Sequence, residues 1–253
     1  MDEHYQKVTI YLPVLLTLIL GTALYSQNMS ASAILDSMTA AMQPVSAKGK
    51  MEQEIISSKN VKRVFTFEYF SENNGENVLI RYLEPRKVKN NAFLIKNNGE
   101  DIWVYFPRTR RVRKLASHAK NQKAQGSDFS YEDFSGSENW KNDYKVNLGD
   151  SGERETYLLN FIRKEKADVS YNKQNIFVDK RTYYPHRIFY FEDDEHVKTL
   201  EFKEITEIQH YPTAQRMVMK NHAEGSQTEM RILNMEYNVE FEENFFSERN
   251  LKK

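Results

Sequence analysis

The 253-residue chain is long enough for one large domain or two small ones, and its 36 basic and 36 acidic residues give a formal net charge of zero. A neutral chain has no overall field that would favour nucleic acid, so any electrostatic function must be local. The sequence contains no cysteine, which excludes a disulfide framework, a thiol nucleophile and a lipid-modified N-terminal cysteine.

The first predicted element is a secretory signal peptide over residues 1–26. Residues 8–24 form a long apolar run that Lys7 precedes and small residues follow. Pro13 interrupts the run, which is barely long enough to span a bilayer, so an uncleaved anchor is the alternative. Both interpretations place residues 27–253 outside the cytoplasm as a single domain, which is soluble if the signal is cleaved.

One short helix follows, with a single apolar stripe. Pro44 ends it, because the residue before a proline disfavours helical backbone. We expect this helix to act as a lid over the sheet, so that its apolar face both packs in the core and contacts a ligand. The candidate residues on that face are Leu35, Met38 and Met42.

From Ala47 onward the pattern predicts ten or eleven antiparallel strands rich in β-branched and aromatic residues. Hairpin turns are predicted at residues 73–75 and 97–99, both Asn-Asn-Gly, since these residues tolerate positive φ. Successive hairpins favour a meander that curls into a barrel or half-barrel. Residues 188–191 are apolar on both strand faces, which is typical either of a two-sided core or of a concave apolar cavity.

A strand over residues 101–106 is followed by a turn at Pro107 and a basic segment. Its arginines are suited to lipid phosphates or an acidic partner, and the alternative is a solvated strand face that protects a sheet edge. These candidate contacts are Arg108, Arg110, Arg111 and Arg113. Trp103 and Tyr105 are candidate cavity residues of the preceding strand.

The insert over residues 116–140 is the longest non-strand segment, and long inserts in compact domains are usually functional. It contains an acidic, aromatic nonapeptide over residues 126–134. We expect its acids to pair with the arginines and order the insert as a lid, the alternative being contact with a cationic partner. The acids are Asp128, Glu132 and Asp133, and the aromatic residues expected at the cavity mouth are Phe129, Tyr131 and Phe134.

Patterns for catalysis are missing. The six histidines show no metal-ligand spacing, and no nucleophile motif is present. The sequence therefore predicts neither an enzyme nor a cofactor.

Three segments carry a resemblance to a known family. They are the strand and basic run over residues 101–114, the sequence GSDFSYEDF over residues 126–134, and YPHRIFYF over residues 184–191. With them, residues 47–253 resemble the outer-membrane lipoprotein-sorting proteins, relatives of the periplasmic lipoprotein carrier LolA.

The resemblance implies a mainly β fold, in which a curved antiparallel sheet forms an open half-barrel with an N-terminal lid helix and a loop or helix insert. It also implies a periplasmic, non-enzymatic carrier that binds lipid or lipoprotein acyl chains and works with an inner-membrane transporter of the RND type. The alternative is an envelope sensor or adaptor that binds a membrane protein without lipid cargo. We expect a monomer that does not bind nucleic acid.

Overall fold

Thirteen strands form one antiparallel sheet in the computed structural model, which describes residues 29–116, 119–135 and 139–253. The expected signal peptide lies outside the described residues. The strands are β1 Ala47–Ile56, β2 Lys62–Glu72, β3 Asn77–Glu84, β4 Ala92–Lys96, β5 Asp101–Phe106, β6 Arg111–Lys114, β7 Tyr144–Gly149, β8 Thr156–Arg163, β9 Lys173–Asp179, β10 Pro185–Glu192, β11 Glu195–Ile208, β12 Tyr211–Asn221 and β13 Ser226–Tyr237. The helices are α1 Ala31–Met42 and α2 Asn139–Asp143.

Two meanders build the sheet. The strand order runs β6-β5-β4-β3-β2-β1-β13-β12-β11-β10-β9-β8-β7, so β1 and β13 form the central seam. The edges are β6 and β7, which follow each other in the chain, and the sheet does not close between them. The connection from β6 to β7, residues 115–143, must therefore cross from one edge of the open sheet to the other. The fold is the open, curved antiparallel sheet that the sequence predicts.

The predicted turns and helix are confirmed. Asn74 and Asn98 both have φ of 55°, and the glycine after each also has positive φ. Helix α1 begins after Ser30, whose hydroxyl accepts a hydrogen bond from the amide of Ala33 at 3.2 Å, a typical N-cap. The structure adds two strands, β6 and β7. Both are short edge strands, of four and six residues, so their hydrophobic pattern is weak.

Both sheet faces carry apolar clusters. The larger cluster lies on the inner face, defined here as the face that α1 covers, and includes Phe67, Ile80 and Phe161. On the outer face, strands β2–β5 carry a second cluster covered by the C-terminal segment, residues 238–253, through Phe246 and Leu251. On strands β2–β5 the sheet therefore has a core on both faces. The described residues contain no helix long and apolar enough to cross a membrane.

Candidate functional site

An apolar cavity of about 290 Å³ lies between the inner face and the β6–β7 connection. Its walls are mainly aliphatic, aromatic and methionine side chains, and methionine adapts to irregular ligands because it is unbranched and flexible. The methionines that line the cavity are Met42, Met51, Met217, Met230 and Met235.

Residues 119–135, called the lid from here on, supply one side of this cavity. Phe129 and Phe134 line it, and their ring centroids are 5.9 Å apart. Tyr131 and Phe134 both pack edge-on against Phe93 of β4, with centroid distances of 5.1 and 5.4 Å. The lid therefore packs its aromatic residues against the inner face beside the cavity.

Asp128 anchors the lid to the far half of the sheet. Its carboxylate, 1% exposed, accepts hydrogen bonds from the hydroxyls of Ser226 at 2.5 Å and Thr228 at 2.8 Å. Lys123 Nζ lies 3.3 Å from Asp128 Oδ1, and Lys198 Nζ donates to the Asp128 carbonyl at 2.9 Å. The carboxylate thus holds the lid to β13, and the backbone carbonyl of the same residue holds it to β11.

Glu132 and Asp133 make a second anchor at the β8–β9 connection. The Glu132 carboxylate accepts hydrogen bonds from the amide and hydroxyl of Ser170, while Asp133 Oδ2 accepts from the Ser130 amide at 2.7 Å. Burial raises the pKa of Glu132, the neighbouring charge of Asp133 adds to the rise, and the Ser170 hydrogen bond opposes it. Tyr171 Oη lies 3.5 Å from Asp133 Oδ1.

The expected pairing of these acids with the arginines is wrong. Within the described residues, no ion pair joins an arginine of the basic segment to an acidic side chain of the lid. The lid acids point to β11–β13 and to the β8–β9 connection, whereas the arginines lie exposed at the β6 edge. These exposed arginines are Arg108, Arg110, Arg111 and Arg113. A different arginine contacts the lid: Arg63 Nη2 donates to the Gly126 carbonyl at 3.0 Å.

Trp103 and Tyr105 also lie away from the cavity that they were expected to line. Both side chains belong to the outer-face cluster under the C-terminal segment, while Ile102 and Val104 of the same strand face inward. Strand alternation allowed either orientation, and the covering by Phe246 supplies an apolar environment on the outer side. Lys114 Nζ lies 5.2 Å from the Trp103 ring centroid.

The helix residues divide between core and cavity. Leu35 and Met38 are buried in the inner-face cluster, whereas Met42 lines the cavity. The methionines of β12 and β13 were not among the predicted site residues. Met217 and Met219 are two residues apart in one strand, so they lie on the same face, and this spacing is the sequence signal that could have predicted them.

A second cavity of about 530 Å³ lies next to the first and is more polar. Side chains from the lid, α2, the β8–β9 connection and β10 line it, and carboxylates outnumber cations among them. Four residues line both cavities: Asp133, Ser135, Trp140 and Tyr190. None of the described acidic and histidine residues forms a group of three or more that could hold a metal ion.

The solved structures most similar in fold include three that share nearly their whole length with this chain. A protein from Vibrio parahaemolyticus, named as an outer membrane lipoprotein-sorting protein domain, is 26% identical, with a TM-score of 0.79 over 88% of this chain and 98% of that chain. A DUF1329 family protein from Desulfovibrio piger has 23% identity and a TM-score of 0.79, over 88% and 99%. A LolA superfamily protein from Nitrosomonas europaea has 17% identity and a TM-score of 0.73, over 88% and 99%.

None of the curated proteins matches this chain. One family model matches residues 74–253, and its description reads "-like: Uncharacterized protein". That match covers most of the chain, from the turn before β3 to the C-terminal segment. The chain therefore belongs to the family that this model describes, and it shares its fold with the outer membrane lipoprotein-sorting protein domain from Vibrio parahaemolyticus and with the LolA superfamily protein from Nitrosomonas europaea.

Proposed function

We propose that this protein is a non-enzymatic periplasmic carrier that shields the apolar chain of a lipid or lipidated protein in the cavity beneath the lid. The observation that carries the proposal is an apolar, methionine-rich cavity bounded by a separately anchored segment. An acyl chain gains about 0.8 kcal/mol for each methylene group removed from water, so apolar walls alone supply affinity. The names of the similar structures support a sorting or carrier role.

Cargo entry requires the lid to move. The cavity of about 290 Å³ is at the lower end of ligand pockets, which range from about 300 to 1,000 Å³. Outward movement of the lid joins the cavity to the rest of the inner face without separating any strands. The polar anchors at Asp128 and Glu132 suit this movement, because water can replace hydrogen bonds that the lid gives up.

Delivery requires a partner, since an apolar grip strong enough to hold an acyl chain does not release it unaided. We propose an inner-membrane transporter of the RND type, with the carrier acting as a monomer. The exposed arginines of the β6 edge supply a contact for an acidic surface or a phosphate group. The same positive charges also protect the edge from pairing with another strand.

The test is binding of a fluorescent long-chain fatty acid to the purified protein, with lipid mass spectrometry of a solvent extract. We expect saturable binding and an extracted lipid. Ile232→Gln places an amide in the cavity wall and should weaken binding of the probe at least about tenfold, which is equivalent to about 1.4 kcal/mol. Leu233→Gln is the matched control, because Leu233 is the next residue of β13 and is 52% exposed.

Two results would overturn the carrier proposal. One is a native protein that carries no lipid and does not bind the probe. The other is a folded Ile232→Gln protein that binds the probe as tightly as the native chain does. A protein partner retained without any lipid would instead support the adaptor alternative.

A further inference from the structure

The acidic cavity of about 530 Å³ adjoins the apolar cavity and shares walls with it. Asp133, Trp140 and Tyr190 stand at this junction, each contributing to both linings. A molecule with an apolar part in one cavity therefore places its adjoining polar group in the other. The charge and hydrogen-bonding groups of the second cavity therefore indicate the charge of that polar group.

Negative charge dominates the second cavity. Lys120 is the one cation among its described lining residues, and its Nζ lies 3.2 Å from Asp168 Oδ2. Nearby Lys164 is occupied by the carbonyls of Lys141 and Asn142, at 2.7 and 2.9 Å. The lining carboxylates are Glu100, Glu132, Asp133, Asp143 and Asp168.

Burial disfavours the charged form of two of these acids, Asp143 and Glu132. Burial raises the pKa of Asp143, with Asp168 and Glu100 adding to the rise and Lys120 and Lys164 opposing it. Burial likewise raises the pKa of Glu132. A bound cation would relieve the repulsion between these carboxylates.

Tyr190 gives an independent indication of a ligand. Its side chain is only 6% exposed and lines both cavities, and its hydroxyl has no hydrogen-bond partner among the described residues. This oxygen is not among the fully buried unpaired atoms of the described residues, so it is open to the cavity, where a ligand atom can form a hydrogen bond with it. Its ring lies 4.5 Å from that of Tyr171, and Trp140 lines the same junction. Aromatic faces beside carboxylates are the usual environment for an ammonium group.

We propose that this cavity binds the ammonium group of an amphiphile whose apolar chain lies in the adjoining apolar cavity. The inference rests on the proposed carrier function and adds the charge of the cargo. An amino lipid and an acylated peptide with a free amine both present this chemistry. Asp143 and Glu132 attract the positive charge, and the Tyr190 oxygen accepts a hydrogen bond from the ammonium group.

The experiment displaces the fluorescent fatty acid with three probes at neutral pH: dodecylamine, dodecanoate and butylamine. We expect dodecylamine to bind at least about tenfold more tightly than dodecanoate, and butylamine to bind far more weakly than dodecylamine. Asp143→Asn and Tyr190→Phe should each reduce the preference for dodecylamine over dodecanoate severalfold. Asp193→Asn, the same change in an exposed turn, is the control.

The outcomes separate this inference from the carrier function. Equal affinity for dodecylamine and dodecanoate overturns the ammonium site while the carrier function stands. Absence of binding by all three probes overturns both. Butylamine that binds as tightly as dodecylamine overturns the link between the two cavities, and an unchanged preference in folded Asp143→Asn and Tyr190→Phe proteins overturns the assigned residues. If the site is confirmed, an amino lipid and a short acylated peptide with a free amine, compared in the same assay, identify the source.

Discussion

At the scale of single residues, Asp128 has the most consequential contacts in the lid. Its carboxylate is buried and surrounded by donors from the β12–β13 hairpin, including Asn221 Nδ2 at 3.4 Å. Hydrogen bonds to an ionised group are stronger than neutral ones, and losing one leaves buried donors unpaired. The position of the lid over the cavity therefore depends heavily on one charge.

Asp128→Asn replaces an acceptor oxygen with a donor and should lower the free energy of unfolding by about 1.5–3 kcal/mol. Urea denaturation measures this loss, and limited proteolysis should show faster cleavage within residues 119–135. Asp193→Asn makes the same change in an exposed turn and should alter neither quantity. Native stability together with native lid protection in Asp128→Asn would contradict the anchoring role.

Glu132 gives the lid a pH dependence. Burial raises its pKa in the folded protein, so its contribution to stability is present at low pH and is lost as the pH rises through the folded pKa. Glu132→Gln cannot ionise and keeps an acceptor for Ser170. The free energy of unfolding of the variant minus that of the native chain should therefore increase between about pH 4 and about pH 8.

Urea denaturation across that pH range checks the expectation, with Glu195→Gln, the same change at an exposed position, as the control. A difference for Glu132→Gln that falls with rising pH would show that Ser170 and Lys120 outweigh burial at this site.

At the scale of elements, the lid and the basic edge strand β6 are independent of each other. Arg111 and Arg113 are exposed and make no ion pair with the lid acids in the part of the chain described. Reversing both to Glu should therefore leave the protease sensitivity of residues 119–135 unchanged, in contrast to Asp128→Asn in the same digestion. Faster cleavage in the double variant would instead support the hypothesis that these arginines pair with the lid acids.

The C-terminal segment covers the outer face of β2–β5. Leu251 is fully buried there, and Phe70 packs with Phe241 and Phe245 at centroid distances of 6.2 and 5.1 Å. Leu251→Ala should cost about 2–4 kcal/mol of unfolding free energy, because it leaves a cavity in a packed cluster. Leu233→Ala, at a position 52% exposed, should stay within about 0.5 kcal/mol of the native value. Equal effects of the two changes would mean that the segment is not packed as described.

At the scale of the whole molecule, the β1–β13 seam joins the two meanders. Gly49 lies in this seam next to a register shift, and a Cβ there would stand 2.6 Å from the Asn234 carbonyl oxygen and 2.8 Å from Met235 Cε. The carbonyl cannot give way without disturbing the strand pairing. The close approach of the two halves therefore depends on the missing side chain.

Gly49→Ala should lower the free energy of unfolding by about 1–3 kcal/mol through this overlap. Lys48→Ala is the control, since its side chain is exposed on the other face of the same strand. Urea denaturation compares the two. A Gly49→Ala protein as stable as the control would show that the seam can widen without cost.

The sequence by itself determined the antiparallel meander, the short amphipathic helix and the Asn-Asn-Gly turns, because hydrophobic periodicity and the backbone freedom of Asn and Gly are local properties. It also marked the lid, through Phe129 and the acids around it. Only the tertiary structure decided which face of β5 points inward and which donors meet Asp128 and Glu132. Alternation along a strand does not tell which set of residues faces inward, and this is decided only when the C-terminal segment covers one side of the sheet. The hydrogen-bond partners of Asp128, such as Asn221 and Thr228, are 93 to 100 residues away in the chain, so no local sequence pattern identifies them.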